Sequence, residues 1–497
     1  METDPAYREM VFATLRARGY KNAGSSKSDL QFRGSTGSAD QQLLGSLPAL
    51  RNRSIELNMD DPVASGLTTT FINNSIGRGI KPQANTGKDK KDDLLESIWN
   101  SRMHDLFPAE GINIWDGQRT AMRKYLEDGE IFIKPSKLPD RPLFFELIEA
   151  DRVATPNDRT HETNITAGIE KDKYGIPVAY WVSKKHPGDR KTFISLADQF
   201  ERVPADSILH FKKPSRPGST RGEPLFHAIL QDLHDMNYLL VVSLKRTQMA
   251  ANFATFIKTT EKIEDFFEGT AEEYGFRLDH DIVPGMIFKL NPNESIENVV
   301  PNFPSPEFAP FVVMLARRIG AALGVSWQIV LKDFSDSTYS SARTDLLEAR
   351  QTYVYLQSKF IQDVCSYMWF WVMNDARISG QLSKQYITDA DIANVVWIAP
   401  GWQWVDPVKE AKGAEIELAI GITTQRELCA QKGKDWKETI EQRIKEEAFE
   451  KELRVKYGVE KEVKPDNPAD DTEDEEEEKK TRRYSLIDNN GRFLNAK

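Results

Sequence analysis

Between residues 306 and 373 the apolar positions form two helical patterns separated by a short polar segment, residues 332–338. In the second pattern Leu346, Ala349, Tyr353, Leu356, Phe360, Val364, Met368 and Trp371 recur every three or four residues, the spacing of one helical face. At ~1.5 Å per residue, a helix over residues 340–373 extends roughly 50 Å, longer than the ordinary globular mean. Upstream, Leu225, Ile229, Leu233, Met236, Leu240 and Leu244 mark another long helix, opening at Pro224 and continuing toward Phe253. The spacing leaves open whether the inner positions of this face meet their own chain or a neighbouring copy. The proline cluster PNFPSPEFAP stops any helix and re-aims the chain. Two long helices, about 224–255 and 306–323, therefore bracket a small mixed insertion with an acidic helix-like stretch, EKIEDFFEGTAEEYG, and a strand-like MIFKL.

The N-terminal half alternates differently. Leu94, Leu95, Ile98, Trp99, Met103 and Leu106 predict a helix within residues 92–107, and a second runs from Trp115 toward Asp128. Residues 131–134, 143–148, 178–182 and 208–211 are short β-branched or aromatic runs divided by Pro, Gly and Asp, so residues 130–212 read as sheet. This is an α+β pattern. Residues 20–50, rich in Ser, Gly, Gln and Asn, read as a flexible or draped arm after a short helix. Toward the C-terminus the pattern predicts a strand at 395–398 and helices at 415–419, 426–430 and 436–457, the last with the mixed charges of an exposed helix.

With 497 residues and 39% hydrophobic content the chain can bury real cores in two to four compact units. Its net charge is −10, and residues 466–478 alone hold nine acidic and no basic side chains, a solvated tail by composition. The mildly acidic body argues against a nucleic-acid binder of the basic-stripe kind. The N-terminus lacks the basic-then-apolar order of a signal peptide, and no run of 18 apolar residues suggests a membrane span. Cys365 and Cys429 have no CxxC spacing, which fits a reducing compartment, and Cys365 sits among apolar neighbours as a small hydrophobe.

Candidate chemistry is sparse. Gly77-Arg78-Gly79 lacks the third glycine of a dinucleotide turn, no phosphate loop of the GxxxxGK[ST] kind occurs, and His161-Glu162 is not followed by a second histidine at metalloprotease spacing. The acidic pairs Asp60-Asp61, Asp92-Asp93 and Glu272-Glu273 allow a metal-dependent nucleic-acid hydrolase as the competing class, although adjacent carboxylates usually form solvated surface. His234-Asp235 falls inside a helical pattern, where a satisfied or exposed histidine is the ordinary reading. No catalytic residue, cofactor or metal is assigned. Ten tryptophans, Trp369, Trp371, Trp397, Trp402 and Trp404 among them, favour large buried contacts or subunit interfaces.

Several motifs in series resemble the portal proteins of lambda-like tailed bacteriophages. They are His210-Phe211, Arg216-Pro217-Gly218 and Arg221-Gly222 ahead of Pro224, then Leu323-Gly324-Val325, Asp333 and Tyr339-Ser340-Ser341-Ala342-Arg343. Trp402, Asp406-Pro407 with Lys409-Glu410, Gly421-Ile422-Thr423-Thr424 and Gly433-Lys434-Asp435 continue the order toward the C-terminus. The likeness covers most of residues 60–450. Two departures stand out: the family often has Gln where this chain has Ser219, and often Gly where it has Lys332.

The resemblance implies a phage portal fold: an N-terminal helix and arm at 1–59, an α/β wing at 60–223, and a stem helix at 224–255. A small α/β clip at 256–305, a second stem helix at 306–325 and a tunnel-loop region at 326–339 follow. The remainder is a long helix returning to the wing at 340–405, a helical crown at 406–460 and a charged tail at 461–497. It implies a homo-oligomeric ring, typically of twelve copies, at one vertex of the virion's capsid and in the host cytoplasm during assembly. Double-stranded DNA would be packaged and ejected through the ring, with the major capsid protein, the terminase large subunit at the clip and a head-completion or neck protein as partners and no membrane. Lys332, Asp333, Phe334, Ser335, Asp336, Ser337 and Thr338 would face DNA, while Arg216, Pro217, Gly218, Arg221, Gly222, Tyr339, Ser340, Ser341 and Arg343 would be structural. A ring-forming neck adaptor is the remaining alternative.

Overall fold

The computed structural model describes residues 37–189, 199–213, 215–252, 256–259, 294–297, 307–335, 337–402 and 407–457. Contacts divide the chain into two units, Met1–Gly433 and Lys434–Lys497. The first begins with α1 (Ala39–Leu43), α2 (Leu47–Asp60), α3 (Pro62–Ser75), β1 (Lys81–Ala84), α4 (Asp89–Arg102) and α5 (Ile114–Asp128). The strands β2 (Glu130–Leu138), β3 (Arg141–Ile148), β4 (Ile165–Thr166), β5 (Ile169–Lys171), β6 (Pro177–Ser183), β7 (Phe200–Pro204) and β8 (Leu209–Lys212) follow. Next come α6 (Leu230–Asn252), β9 (Phe256–Thr259), β10 (Glu294–Glu297), α7 (Phe308–Leu323), α8 (Trp327–Leu331), α9 (Tyr339–Phe360), α10 (Ser366–Ile378) and α11 (Asp389–Ala393). The unit closes with β11 (Val395–Ile398), α12 (Pro407–Ala419) and α13 (Gln425–Gln431), and the second unit holds α14 (Trp436–Tyr457).

All four sheet runs expected between residues 130 and 212 are strands, and they form a three-stranded sheet, β3-β2-β8, beside a four-stranded one, β4-β5-β6-β7. Strand period two divides β2 between two cores. Ile131 and Ile133 enter the large helical core, whereas Phe132 turns the other way, toward Ile148, Val153, Ile169, Tyr180, Val182, Val203 and Ile208. The expected strand at 395–398 pairs antiparallel with β1, Lys81 opposite Ile398, joining distant parts of the chain. Behind it Trp99, Trp369 and Trp397 pack with ring centroids 5.6, 6.5 and 6.4 Å apart, and Trp369 Nε1 donates to the Ile392 carbonyl at 2.9 Å. These tryptophans are core; Trp404 lies outside the described residues.

The long helix of residues 340–373 forms, with one irregularity. A π turn, Ile361–Cys365, links α9 to α10. Three successive steps of four, from Leu356 through Phe360 and Val364 to Met368, overshoot a 3.6-residue turn. A wide turn with i→i+5 bonding absorbs the drift, so all four stay buried. Cys365 is buried with them, and burial pushes its thiol above the ordinary range.

Three expectations need correction. The stretch read as an arm is helical where described: α1 and α2 pack on the body, and Arg51 and Ser54 are buried. The helix expected from Pro224 starts later, at Leu230, after a 3-10 turn over Leu225–Ala228 that puts Phe226 inside. Its inner face is also rotated, because Ile229, Leu233 and Met236 are buried in their own chain whereas Leu240 and Leu244 are exposed. Of the insertion, only the antiparallel pair β9 and β10 lies within the described residues; EKIEDFFEGTAEEYG and MIFKL lie outside them.

Candidate functional site: a buried ionic latch and an exposed loop

The motif residues ahead of Pro224 converge on one carboxylate, that of Glu130 at the start of β2. Its side chain is fully buried. Oε1 accepts from Arg221 Nε at 2.5 Å and from Arg51 Nη2, while Oε2 accepts from the Gly222 amide at 2.8 Å and lies 2.8 Å from His210 Nε2. Burial alone would raise this carboxyl, but Arg221, His210 and Arg51 outweigh it and hold the group well below the usual carboxylate range. Burial lowers His210 from its ordinary value, only partly opposed by Glu130.

Arg221 uses its whole fork. Nη1 donates to the carbonyls of Val153 and Ala167 at 2.8 Å each, Nη2 to Ala150 at 2.6 Å, and the guanidinium lies 5.5 Å from the Phe132 ring centre. This geometry suits arginine and no other cation. The neighbouring glycines make the approach possible: a Cβ on Gly222 would sit 2.1 Å from the Gly129 carbonyl oxygen, and Gly129 ends α5 in the left-handed conformation, φ +83.

The rest of the loop ties down the N-terminal helices. Arg216-Pro217-Gly218-Ser219 is a turn in which the Ser219 amide donates to the Arg216 carbonyl at 3.1 Å and Gly218 takes φ +84, the type II pattern of Pro followed by Gly. Arg216 Nη1 donates to Gln42 at 2.6 Å, and the Thr220 amide donates to Asp40 Oδ1 at 2.7 Å. A second buried acid, Asp128, is pushed up to about 7 by burial, opposed by Lys124 and Arg51, and its Oδ1 has no hydrogen-bond partner.

The polar segment after α8 has a different character. Lys332 caps α8 in the left-handed conformation, φ +55, with its amide donating to Gln328. Glycine adopts this backbone freely, so the lysine holds it at a steric cost. Asp333 Oδ1 accepts from the Ser335 amide at 3.0 Å and hydroxyl at 2.6 Å, which holds the exposed carboxyl below its ordinary value. Phe334 is exposed, Ser337 donates to the Phe334 carbonyl at 3.1 Å, and Asp336 lies outside the described residues. Thr338 is the N-cap of α9, its hydroxyl accepting from the Ser341 amide at 3.3 Å. Tyr339 is exposed, the Ser340 carbonyl accepts from Thr344, and Arg343 lies 3.9 Å from Glu410.

In each described acidic pair one member does structural work. Asp61 accepts from the Ala64 amide at 2.8 Å as the N-cap of α3, and Asp92 accepts from the Thr86 amide at 2.8 Å; Glu272-Glu273 lies outside the described residues. Among the described residues no group of three or more His, Cys, Asp or Glu side chains is arranged to hold a metal ion. A Cβ on Gly79 would lie 2.4 Å from Trp115, so that glycine serves packing. His234 is an exposed side chain beside Asp235.

The pattern described as "Phage portal protein, lambda family" matches residues 25–357. The chain belongs to the lambda family of phage portal proteins. It is 26% identical to a probable portal protein of Halomonas phage phiHAP-1 over 323 residues, 62% of this chain and 60% of the relative. The match thus spans less than two thirds of that relative's length. To portal protein B of Escherichia phage lambda it is 24% identical over 364 residues, covering 66% and 67% of the two chains. A chain in the virion of a native gene transfer agent particle matches at a TM-score of 0.46 and 15% identity, covering 78% of this chain and 93% of that one. The portal family is structural rather than catalytic, and no helix among the described residues is long and apolar enough to cross a membrane.

Sequence reasoning singled out His210, Arg221 and Gly222 but missed their common partner. Glu130 was hidden because Arg51 and Arg221 lie 79 and 91 positions from it. The available signal was a lone acid opening the apolar run Ile131-Phe132-Ile133, where an unpaired charge is costly.

Proposed function

We propose that this portal protein forms a closed ring, of twelve copies as is typical of its family, at one capsid vertex, through which a packaging motor drives double-stranded DNA and from which DNA later leaves. The observation that carries the reading is family membership across residues 25–357 together with motif residues engaged in definite structural tasks. In this reading residues 60–223 are the wing, 224–255 and 306–325 the stem, 256–305 the clip, 326–339 the tunnel-loop region and 406–460 the crown. The terminase large subunit and later a neck protein dock at the clip, and the major capsid protein surrounds the ring. Assembly takes place in the host cytoplasm.

A ring requires head-to-tail surfaces that close. Support comes from the outer halves of α6 and α7, which leave Tyr238, Val241, Val242 and Leu244, and Phe311 and Met314, exposed. The two helices are tied by Arg318 to Asp232 at 3.1 Å. Apolar side chains held outward on paired helices fit side-by-side packing around an axis. A chain of net charge −10 gives a twelve-membered ring a formal charge of about −120 before screening, which repels DNA from most of the wall. Lys332 beside Asp333 then supplies weak alternating contacts at the loop.

A phage carrying a null allele of this chain tests the reading when complemented from a plasmid. Wild-type complementation yields filled capsids. Lys332→Ala yields particles that package but retain DNA less well, and unchanged retention would remove Lys332 from the DNA-facing set. Filled capsids without any complementation would refute the portal role.

A further inference from the structure

On an acidic chain, a cleft toward the C-terminal end of the first unit gathers cations. It opens between α9 on one side and α12 and α13 on the other, has a volume of about 500 Å³, and is lined by Arg343, Arg350, Lys409 and Lys432 against two carboxylates, Glu410 and Glu417. The α12 wall is low at Gly413 and Ala414, and a Cβ on Gly413 would meet nothing within 4 Å. Arg343 Nε is buried without a hydrogen-bond partner, and the ion pair of Arg343 with Glu410 is loose at 3.9 Å. Arg350 lies 5.8 Å from the Trp402 ring centre, and the Trp402 indole is fixed by Asn74 at 2.9 Å.

We propose that this cleft binds phosphate groups of the double-stranded DNA backbone, an inference that rests on the portal reading above. Arg343 and Arg350 are seven residues apart on one helix face, about 10 Å along the axis, which matches roughly three base pairs of rise at ~3.4 Å each. Guanidinium forks match phosphate oxygens bidentately, and an arginine held against an indole loses little freedom on binding. Lys409 supplies a point charge from the opposite wall. The cleft opens beside the same helix that the polar loop caps at Thr338, so a duplex following that loop passes within reach. A grip at this point, on a wall that otherwise repels DNA, holds the last packaged turn against backward slippage.

The test uses the full chain, a fluorescent 30-base-pair duplex, and salt varied between about 50 and 200 mM. Arg343→Gln with Lys409→Gln weakens duplex binding about tenfold and lowers the slope of log affinity against log salt by about 2, one for each lost cation. Lys409→Glu alone, at an exposed position of α12, weakens it as well. The control Lys90→Gln, an exposed lysine on α4, leaves binding unchanged. Inorganic phosphate and ATP compete only weakly. Equal duplex affinity for wild type, the double variant and Lys409→Glu overturns the proposal, as does saturable ATP or phosphate binding without duplex binding. Each preparation is also imaged. Rings with no variant effect remove the cleft alone, whereas the variant effect in a chain that forms no rings retains the cleft and removes the portal reading.

Discussion

The two halves of α6 have similar apolar content and opposite fates. Over Leu230–Met236 the apolar side chains enter the body: Leu233 and Met236 are buried against a core that extends through α3, α5, β2 and α9. Beyond Met236, Tyr238 and Leu244 are 63% and 60% exposed, and Ser243, a polar residue, faces inward. Hydrophobic periodicity therefore reports that a face is to be covered, not which molecule covers it. The first half belongs to this chain's core, and in the portal reading the second half belongs to the neighbouring copy.

The latch around Glu130 sits firmly on the buried side of that divide, so breaking it has the largest expected effect. Arg221→Ala leaves a fully buried carboxylate without its principal partner and three carbonyls without a donor, and is expected to cost about 3–5 kcal/mol in urea unfolding. Glu130 and His210 both titrate below their ordinary values. The stability they contribute is therefore present above the unfolded pKa of each and is lost as pH falls through the folded one, first for the histidine and then for the carboxylate.

Asp128 has the opposite sign. Its folded value of about 7 exceeds the unfolded one, so its protonated form favours folding below the ordinary carboxylate range and that advantage disappears as pH rises through about 7. Asp128→Asn is expected to stabilise the chain at pH 8 by roughly 2–4 kcal/mol and to remove the loss of stability with rising pH between about 4 and 7, leaving the opposite slope of His210. A stability difference between variant and wild type that stays constant from about pH 4 to 8 would contradict the raised value of Asp128.

Two smaller effects sharpen the contrast on the exposed side. Lys332→Gly removes the steric cost of a left-handed lysine and is expected to raise stability by about 0.5–1 kcal/mol in thermal unfolding. Tyr238→Ser with Val241→Ser is expected to change unfolding of the isolated chain by less than about 0.5 kcal/mol. The same pair should lower the proportion of assembled rings in light scattering. A large unfolding effect with assembly unchanged would assign that face to this chain's own core.

Much of the fold was legible because its elements follow local rules. The runs at 143–148 and 395–398 and the helix at 436–457 emerge within a residue or two, the last with exposed i,i+4 pairs such as Lys445 with Glu441 at 2.7 Å. What stayed hidden depends on distant partners. Residues 39–50 read as an arm because Ser, Gly and Gln dominate what precedes them, yet Asp40 is fixed by Thr220, 180 positions away, and the helix that follows is fixed by Arg51 on Glu130, 79 positions away. The π turn was invisible because a four-residue spacing looks helical whether or not one turn widens. Of the candidate site, the motif residues were visible singly, but only the folded chain brings His210, Arg221 and Gly222 to one carboxylate.

Electron microscopy of the purified full chain, with class averages compared for rotational symmetry, tests the central claim most directly. The account predicts annular particles with a central channel and twelve-fold averages. Uniform compact monomers under the same conditions would contradict it.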